Sequence, residues 1–265
     1  MSHTIDRRFG REAFGADPAN YHRARPAYPD WVFERLAGTA GLGSGTAVLE
    51  IGAGAGTATR ALLAAGASPL VAIEPDPRSG GYLAETTPSP ALEVRIEPFE
   101  TAELPDAAFD LVTSFTAFHW LDEAASLAKI AATLKPGGWW APVWNVFGDD
   151  AYPDAFHEAT AKVLNGPRSP SAGIAGVGFP VDAQRRIAAI DATGAFERVL
   201  YHTSHWPLVL TADETVALYA TYSDLQVRED RDLVLAELRR IAEEEFDGRV
   251  ERNMITIVYL ARRRT

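Results

Sequence analysis

The sequence predicts an α/β fold in which a doubly wound, mostly parallel sheet is covered by helices on both faces. Short apolar runs bounded by glycine or proline recur along residues 1–145, and helical stretches separate them. Strands that are buried on both faces of a parallel sheet have this near-continuous apolar character. Short links between strand and helix lead to right-handed crossovers, which place helices on both sides of the sheet.

Prolines, glycines and a helix-capping residue mark the ends of the predicted elements in the first half of the sequence. Prolines at positions 26 and 29 lead into the first helix, and glycines at 41, 43 and 45 end it. Alanine and leucine mark a second helix, and Asp122 is placed to cap a third. The predicted helices cover residues 30–40, 57–65 and 122–134, and the predicted strands cover 47–51, 70–73, 92–96, 109–114 and 139–144, with a turn at 135–138.

The second half is less regular. Prolines and glycines cluster between residues 148 and 179, which favours a loop-rich insertion over a second domain. Residues 1–20 are predicted to be irregular. Beyond the insertion, the pattern predicts helices over 182–192, 212–222 and 230–246 and strands over 198–206 and 254–261.

Composition excludes several classes of function. The 265 residues include 25 basic and 36 acidic side chains, a net charge of −11, which disfavours a nucleic-acid partner because phosphate contacts need basic residues. There is no cysteine, so disulfides, thiolate metal sites and a cysteine nucleophile are absent. No long uncharged apolar run predicts a membrane span, and residues 1–10 do not read as a signal peptide. We therefore expect a cytoplasmic protein without a membrane partner.

A glycine-rich loop follows the first predicted strand, over residues 50–57 (EIGAGAGT). Glycines at this point let the backbone approach a ligand at the edge of an open sheet. The dinucleotide-binding fingerprint requires glycine or alanine where Thr57 stands, and no lysine follows the loop to hold a phosphate. The loop therefore indicates a ligand site, with an imperfect fit to the dinucleotide fingerprint and no match to the phosphate-binding loop.

Two carboxylates end the first two strands. Glu50 would repel a pyrophosphate but suits a cationic ligand, and Glu74 is placed to accept both hydroxyls of a ribose. The pair indicates a positively charged nucleoside without phosphate, a description that S-adenosylmethionine fits. The alternative is that Glu50 caps loop amides and Glu74 is a solvated turn residue.

Four ordered motifs resemble the class I S-adenosylmethionine-dependent methyltransferases. They are 48–56 (VLEIGAGAG), 72–76 (AIEPD), 109–112 (FDLV) and 134–138 (LKPGG). The resemblance implies a Rossmann-like seven-stranded sheet with an antiparallel last strand, in one domain over residues 1–265. That domain would comprise an N-terminal cap segment (1–45), a cofactor-binding core (46–145), a substrate-side insertion (146–197), and a C-terminal sheet edge with helices (198–265). Segments 21–26 (YHRARP) and 117–122 (AFHWLD) are similar to a subgroup that includes trans-aconitate-type and natural-product methyltransferases.

The resemblance also implies which residues contact the cofactor. The glycine loop would line its methionine and adenosine portions, Glu74 would hold the ribose, and Phe99 with Glu100 would meet the adenine edge. Tyr21 and Arg25 could reach the cofactor carboxylate, or could only tie down the terminal segment. The implied set is Tyr21, Arg25, Glu50, Gly52, Ala53, Gly54, Glu74, Pro75, Phe99, Glu100, Ser114 and Phe115.

The candidates for the methyl acceptor side lie near the ends of later strands. His119 is the best candidate for a general base, although a packing or orienting role is the favoured interpretation. The acceptor is expected to contact His119, Trp120, Trp144, Asn145 and Tyr222 within a group of aromatic residues that also includes Phe118, Phe147 and Tyr152. His202 and His205 lie three apart on a predicted strand and point to opposite faces, so no metal site is expected.

The sequence thus predicts methyl transfer by in-line displacement to an oxygen, nitrogen or carbon nucleophile of a small molecule. Two alternatives remain open at this stage. One is a nicotinamide-dependent oxidoreductase on the same sheet, and the other is a non-catalytic protein that binds S-adenosylmethionine. The oligomeric state is not predicted.

Overall fold

The computed structural model describes residues 4–6, 15–147, 152–174 and 177–265. Its centre is a seven-stranded sheet with the strand order β3-β2-β1-β4-β5-β7-β6. The strands are β1 (Thr46–Ile51), β2 (Ala67–Ile73), β3 (Leu92–Arg95), β4 (Phe109–Phe115), β5 (Leu134–Phe147), β6 (Phe196–Thr211) and β7 (Arg249–Arg263).

Helices cover the sheet and cap one of its edges. In chain order they are α1 (Pro18–Ala24), α2 (Asp30–Ala40), α3 (Thr57–Ala64), α4 (Pro77–Thr86), α5 (Glu123–Thr133), α6 (Ala155–Thr160), α7 (Ala183–Ala192), α8 (Ala212–Tyr219), α9 (Ser223–Gln226) and α10 (Arg231–Glu244). Asp side chains cap several of them; Asp122, for example, accepts a hydrogen bond from the backbone of Ala125 at 2.9 Å at the start of α5.

Strand direction confirms the predicted fold class. Strands β1 to β5 pair in parallel, whereas β7 runs antiparallel to both β5 and β6. Separate hydrophobic clusters pack on the two faces of the sheet, and Trp140 belongs to one while Trp139 packs against the other. The parallel pairing of β1 with β2 and β4 puts the carboxyl ends of these three strands at one edge of the sheet, where the glycine loop begins.

Several predicted boundaries are wrong, because long-range pairing decides where a strand ends. Strand β5 begins at Leu134, so the predicted turn at 135–138 lies inside a strand whose pairing with β4 shifts register there. Strands β6 and β7 extend well beyond 198–206 and 254–261, since they pair with each other over most of their length. The predicted helix 212–222 is α8, which ends earlier, at Tyr219, and helices α1, α4, α6 and α9 were not predicted.

Other predictions fall partly outside the described residues. Residues 1–3, 7–14, 148–151 and 175–176 lie outside them, and so do parts of the predicted irregular start and of the predicted insertion. No helix in the described ranges is long and apolar enough to cross a membrane. The cytoplasmic location and the single-domain division stay predictions.

Candidate functional site

The glycine loop after β1 has a backbone that only glycine adopts easily. Gly52 and Gly54 have φ angles of +74° and +57°, in the left-handed region. A Cβ atom on Gly52 would lie 2.5 Å from the Cβ atom of Ala117, whereas a Cβ atom on Gly54 would meet only Tyr21, at 3.9 Å. Gly52 is therefore required by a close contact as well as by its φ angle.

Glu50 is buried beneath this loop. It is 1% exposed, and its Oε2 atom accepts a hydrogen bond from the Thr59 hydroxyl at 2.6 Å. Burial raises the pKa of Glu50 to about 8, and the nearby Glu74 charge acts in the same direction. Its partner is thus a helix hydroxyl rather than the loop amides, and its carboxyl group is mainly neutral at pH 7.

Glu74 ends β2 and is 7% exposed, so it is not a solvated turn residue. Its Oε2 atom accepts a hydrogen bond from the Gly54 backbone at 2.7 Å, and its Oε1 atom accepts one from the Asp76 backbone at 2.9 Å. These two bonds hold the carboxylate against the glycine loop. Each carboxylate oxygen has the capacity to accept a further hydrogen bond.

Two adjoining clefts lie along the glycine loop. The first is lined by Glu50 and by residues 52–54 of the glycine loop, together with Arg25, Tyr28 and Phe115. The second contains the residues expected around the ribose and adenine, namely Glu74, Pro75, Phe99 and Glu100. Trp120 also lines it, and so does Phe115, which the sequence places near the methionine ammonium. Ser114 is set back from both, because its hydroxyl donates to the Ile51 carbonyl at 2.8 Å and ties β4 to β1.

A larger cavity of about 850 Å³ opens beside the two clefts. Its walls come from α1 and the residue after it, the ends of β4 and β5, residues within 157–172 and 177–181, helices α8 and α9, and strand β7. His119, Trp144, Asn145 and Tyr222 line it, as expected for acceptor contacts, whereas Trp120 lies in the second cleft instead. Phe118 packs on Trp140 in the core, and Tyr152 is 52% exposed and packs on His205.

Tyr21 and Thr116 line all three spaces and therefore mark their junction. Thr116 has a φ angle of +52°, an uncommon and strained conformation for a β-branched residue. Its hydroxyl is 2.7 Å from the Tyr28 hydroxyl and accepts a hydrogen bond from the Asn145 backbone at 3.3 Å. The strained residue is thus held in place from two directions where the clefts meet the cavity.

Comparisons with known proteins agree with this geometry. The family described as "Methyltransferase domain" matches residues 49–141. An uncharacterised methyltransferase-like protein of Schizosaccharomyces pombe is 27% identical over 237 residues, which is 87% of this chain and 86% of the relative. An uncharacterised methyltransferase of Mycobacterium tuberculosis is 32% identical over 146 residues, 54% of this chain and 56% of the relative.

Solved structures with low sequence identity share the fold. A Haemonchus contortus phosphoethanolamine N-methyltransferase in complex with S-adenosylhomocysteine has a TM-score of 0.58 at 12% identity, covering 95% of this chain and 58% of that one. Residues 49–141 thus match a methyltransferase domain, and the relatives together with the shared fold support a class I S-adenosylmethionine-dependent methyltransferase. The cyclase SpnF, with a TM-score of 0.60 at 15% identity over 100% of this chain and 99% of that one, has the same fold. The nicotinamide-dependent alternative is set aside, and membership of the trans-aconitate-type or natural-product subgroup stays a prediction.

In this methyltransferase, His119 is oriented by a tryptophan. The Trp144 Nε1–H group donates to the His119 Nδ1 atom at 3.2 Å, and both residues are buried. An indole nitrogen can only donate, so Nδ1 must be the acceptor and the neutral imidazole carries its proton on Nε2. His119 therefore has a hydrogen-bond donor, rather than a basic lone pair, on its second nitrogen.

Asn145 is fixed in the same manner by its neighbours. Its Oδ1 atom accepts from the Thr256 hydroxyl at 2.7 Å, and its Nδ2 atom donates to the Ala27 carbonyl at 3.3 Å. The Thr256 hydroxyl in turn accepts from the Trp206 Nε1–H group at 2.8 Å. Asn145 thereby links β5 and β7 to the segment that follows α1, at the boundary between the first cleft and the large cavity.

Sequence reasoning missed several residues of the site. Tyr28 and Thr116 show no pattern that singles them out, although Thr116 directly follows β4. Arg168 lies in the predicted loop-rich insertion, and Asp224 lies just beyond the predicted helix 212–222. Arg252 had a detectable signal, because it interrupts the apolar alternation of β7 between Val250 and Met254. Across the described residues, no three histidine or acidic side chains come together as a possible metal site. The expectation of no metal stays a prediction.

Proposed function

We propose that this methyltransferase methylates a small molecule bound in the 850 Å³ cavity. The observation that supports this is the junction at Tyr21 and Thr116, which joins that cavity to the two clefts along the glycine loop. The volume lies within the roughly 300–1,000 Å³ of small-molecule sites. Walls from six separate parts of the chain favour a small acceptor over a nucleic acid or protein surface.

The two clefts suit S-adenosylmethionine by their chemistry. We assign the methionine portion to the first cleft, with Glu50, Gly52 and Ala53, and we retain Tyr21 and Arg25 for the cofactor carboxylate. We assign the ribose and adenine to the second, with Glu74, Pro75, Phe99, Glu100 and the added Trp120. The Glu74 carboxylate beside the glycine loop, with Glu50 able to ionise below it, favours a cationic nucleoside without phosphate.

The chain's own contribution to the reaction is mainly positional. S-adenosylmethionine supplies an electrophilic methyl group when bound, so the protein has to hold the acceptor in line and exclude water. In this assignment His119 orients the acceptor through its Nε2–H donor, and Trp144 keeps it in that tautomer. The nucleophile is an oxygen, nitrogen or carbon atom of the acceptor.

Asp224 is the better candidate for a base where the acceptor has to lose a proton. It lines the large cavity, and burial raises its pKa. It accepts a hydrogen bond from the Leu225 backbone at 3.1 Å and, within the described residues, forms no ion pair. Burial therefore brings the proton affinity of this carboxylate closer to that of an effective general base near neutral pH.

The test uses the full chain and two readouts. Calorimetry with S-adenosylhomocysteine measures cofactor binding, and methyl-labelled S-adenosylmethionine measures transfer to a panel of small metabolites, a tRNA mixture and a protein mixture. We expect label only in small molecules. We expect the binding of S-adenosylhomocysteine to be weaker in Glu74→Ala and unchanged in the control Glu85→Ala, because Glu85 is exposed on α4. Incorporation only into tRNA or protein would contradict the proposal.

A further inference from the structure

Arg252 is a buried cation in the wall of the large cavity. It is 2% exposed on strand β7, and its Nε atom donates to the Asp154 carboxylate at 2.9 Å. Its Nη1 atom donates to the Tyr219 hydroxyl. An arginine remains charged at all accessible pH values, so this wall of the cavity holds a permanent guanidinium cation, with Asp154 as its counterion.

The surroundings of Asp154 leave that charge only partly compensated. The Asp154 carboxylate also accepts hydrogen bonds from the backbones of His157, at 2.7 Å, and Asn253, at 2.9 Å. It is thus shared among the start of helix α6, strand β7 and Arg252. Within the described part of the chain, the Arg252 Nη2 atom has no hydrogen-bond acceptor. A buried guanidinium with an unused N–H pair favours a ligand that supplies an acceptor.

Other unpaired groups of the same cavity are donors as well. The Arg25 Nε atom and the Tyr222 hydroxyl are buried without a hydrogen-bond partner among the described residues. Arg168 adds an exposed cation, and Asp224 is the one acidic residue that lines the cavity in the described ranges. The wall thus presents an excess of donors and positive charge.

We propose that the methyl acceptor carries an oxyanion, a carboxylate or a phosphate, and that Arg252 binds it. The proposal rests on the proposed function, since it concerns the acceptor in the same cavity. Arg252 lines the large cavity but neither of the clefts along the glycine loop, whereas Arg25 lines the first cleft as well. In this proposal the oxyanion binds Arg252 away from the clefts and so positions the acceptor. The atom that is methylated is a different part of the acceptor.

The experiment uses matched probes on the enzyme saturated with S-adenosylhomocysteine. Benzoate and phenyl phosphate carry the two candidate oxyanions, and benzamide is the neutral control. We expect the better of the two anions to bind at least about tenfold more tightly than benzamide, since a hydrogen bond to a charged group contributes that much or more. The tighter anion identifies which source of oxyanion the site prefers.

Two variants test whether the preference for an anion depends on Arg252 or only on the overall charge of the protein. Replacing Arg252 alone would strand the buried Asp154 carboxylate, so the test variant is the neutral double replacement Arg252→Gln with Asp154→Asn. The control is Arg249→Gln, because Arg249 lies three residues earlier on the same strand with a side chain that is 68% exposed. We expect the anion preference to disappear in the double variant and to persist in the control.

The outcomes distinguish this proposal from the underlying function. Failure to bind S-adenosylhomocysteine would contradict the proposed function itself. Normal cofactor binding with equal affinity for benzoate, phenyl phosphate and benzamide would overturn the oxyanion proposal, as would a preference that survives in the folded double variant. Should the double variant not fold, a crystal structure of the native complex with the tighter anion decides the question. An anion located away from Arg252 overturns the proposal, and one bonded to its Nη2 atom supports it.

Discussion

Replacing Glu50 with glutamine should make the folded protein more stable while weakening its cofactor binding. Glu50 is buried, with the Thr59 hydroxyl as its hydrogen-bond donor, and burial raises its pKa to about 8. A glutamine has nearly the same shape and offers the same acceptor to Thr59. It lacks a carboxyl group that must be kept protonated, so the cost of burying an acid is removed.

The magnitude follows from proton linkage. The unfolded chain has a Glu50 pKa near 4.5, and the folded chain has one near 8. Between these values the folded state binds more protons than the unfolded state, so the free energy of unfolding of the native protein falls as pH rises. Each pH unit corresponds to about 1.4 kcal/mol, so the native protein should lose about 3 kcal/mol relative to Glu50→Gln between pH 4.5 and pH 7.

Urea unfolding between pH 4.5 and 8 measures this difference directly. The expected result is that the difference in unfolding free energy grows in favour of Glu50→Gln up to about pH 8 and then stays constant. The control is Glu85→Gln, because Glu85 is exposed on α4 and should show no such trend. A difference between the native protein and Glu50→Gln that does not change with pH would refute the reasoning about burial.

Cofactor binding should respond in the opposite direction. The ionised form of Glu50 attracts a cationic ligand, so the affinity of the native protein for S-adenosylmethionine should rise as pH approaches 8. In Glu50→Gln this pH dependence should disappear and the affinity should be lower, a trade of function for stability that is common at active sites. Calorimetry at pH 6 and 8 measures both effects, and equal affinity of the two proteins at pH 8 would contradict the assignment of Glu50 to the cofactor.

Three further predictions concern the loop and the cavity. Glu74→Ala should weaken binding of S-adenosylhomocysteine by about 1–3 kcal/mol, and unchanged affinity by calorimetry would exclude the ribose assignment. Trp144→Phe frees the His119 Nδ1 atom and should lower kcat about tenfold with little change in cofactor affinity; an unaltered kcat would exclude the orienting role. Gly52→Ala should destabilise the protein by about 2–4 kcal/mol in thermal unfolding, because of its close contact and positive φ, whereas Gly38→Ala has open space and should not destabilise it.

Much of the cofactor side could be predicted because its signals are local. The glycine loop, Glu50 and Glu74 lie within a few residues of strands that the apolar pattern identifies, and parallel strands bring their carboxyl ends to one edge. The predicted residues of that side, Ser114 excepted, line the two clefts or the adjoining cavity. The sequence pattern could not predict two properties of this side. The neutral state of Glu50 depends on its burial. Trp120 lines the second cleft because of the short helical turn Phe118–Trp120.

The acceptor side is different, because its residues come from distant parts of the chain. Arg252 and Asp154 are separated by 98 residues, and neither predicts the other in sequence. The orientation of His119 depends on Trp144, which approaches it only because β5 pairs with β4. Residue alternation and strand-end position act over a few residues, and they are enough to predict the sheet, the ligand-binding loop and the cofactor. The charge and shape of the acceptor cavity follow instead from burial and long-range pairing, because these determine which side chains meet and which of them remain charged.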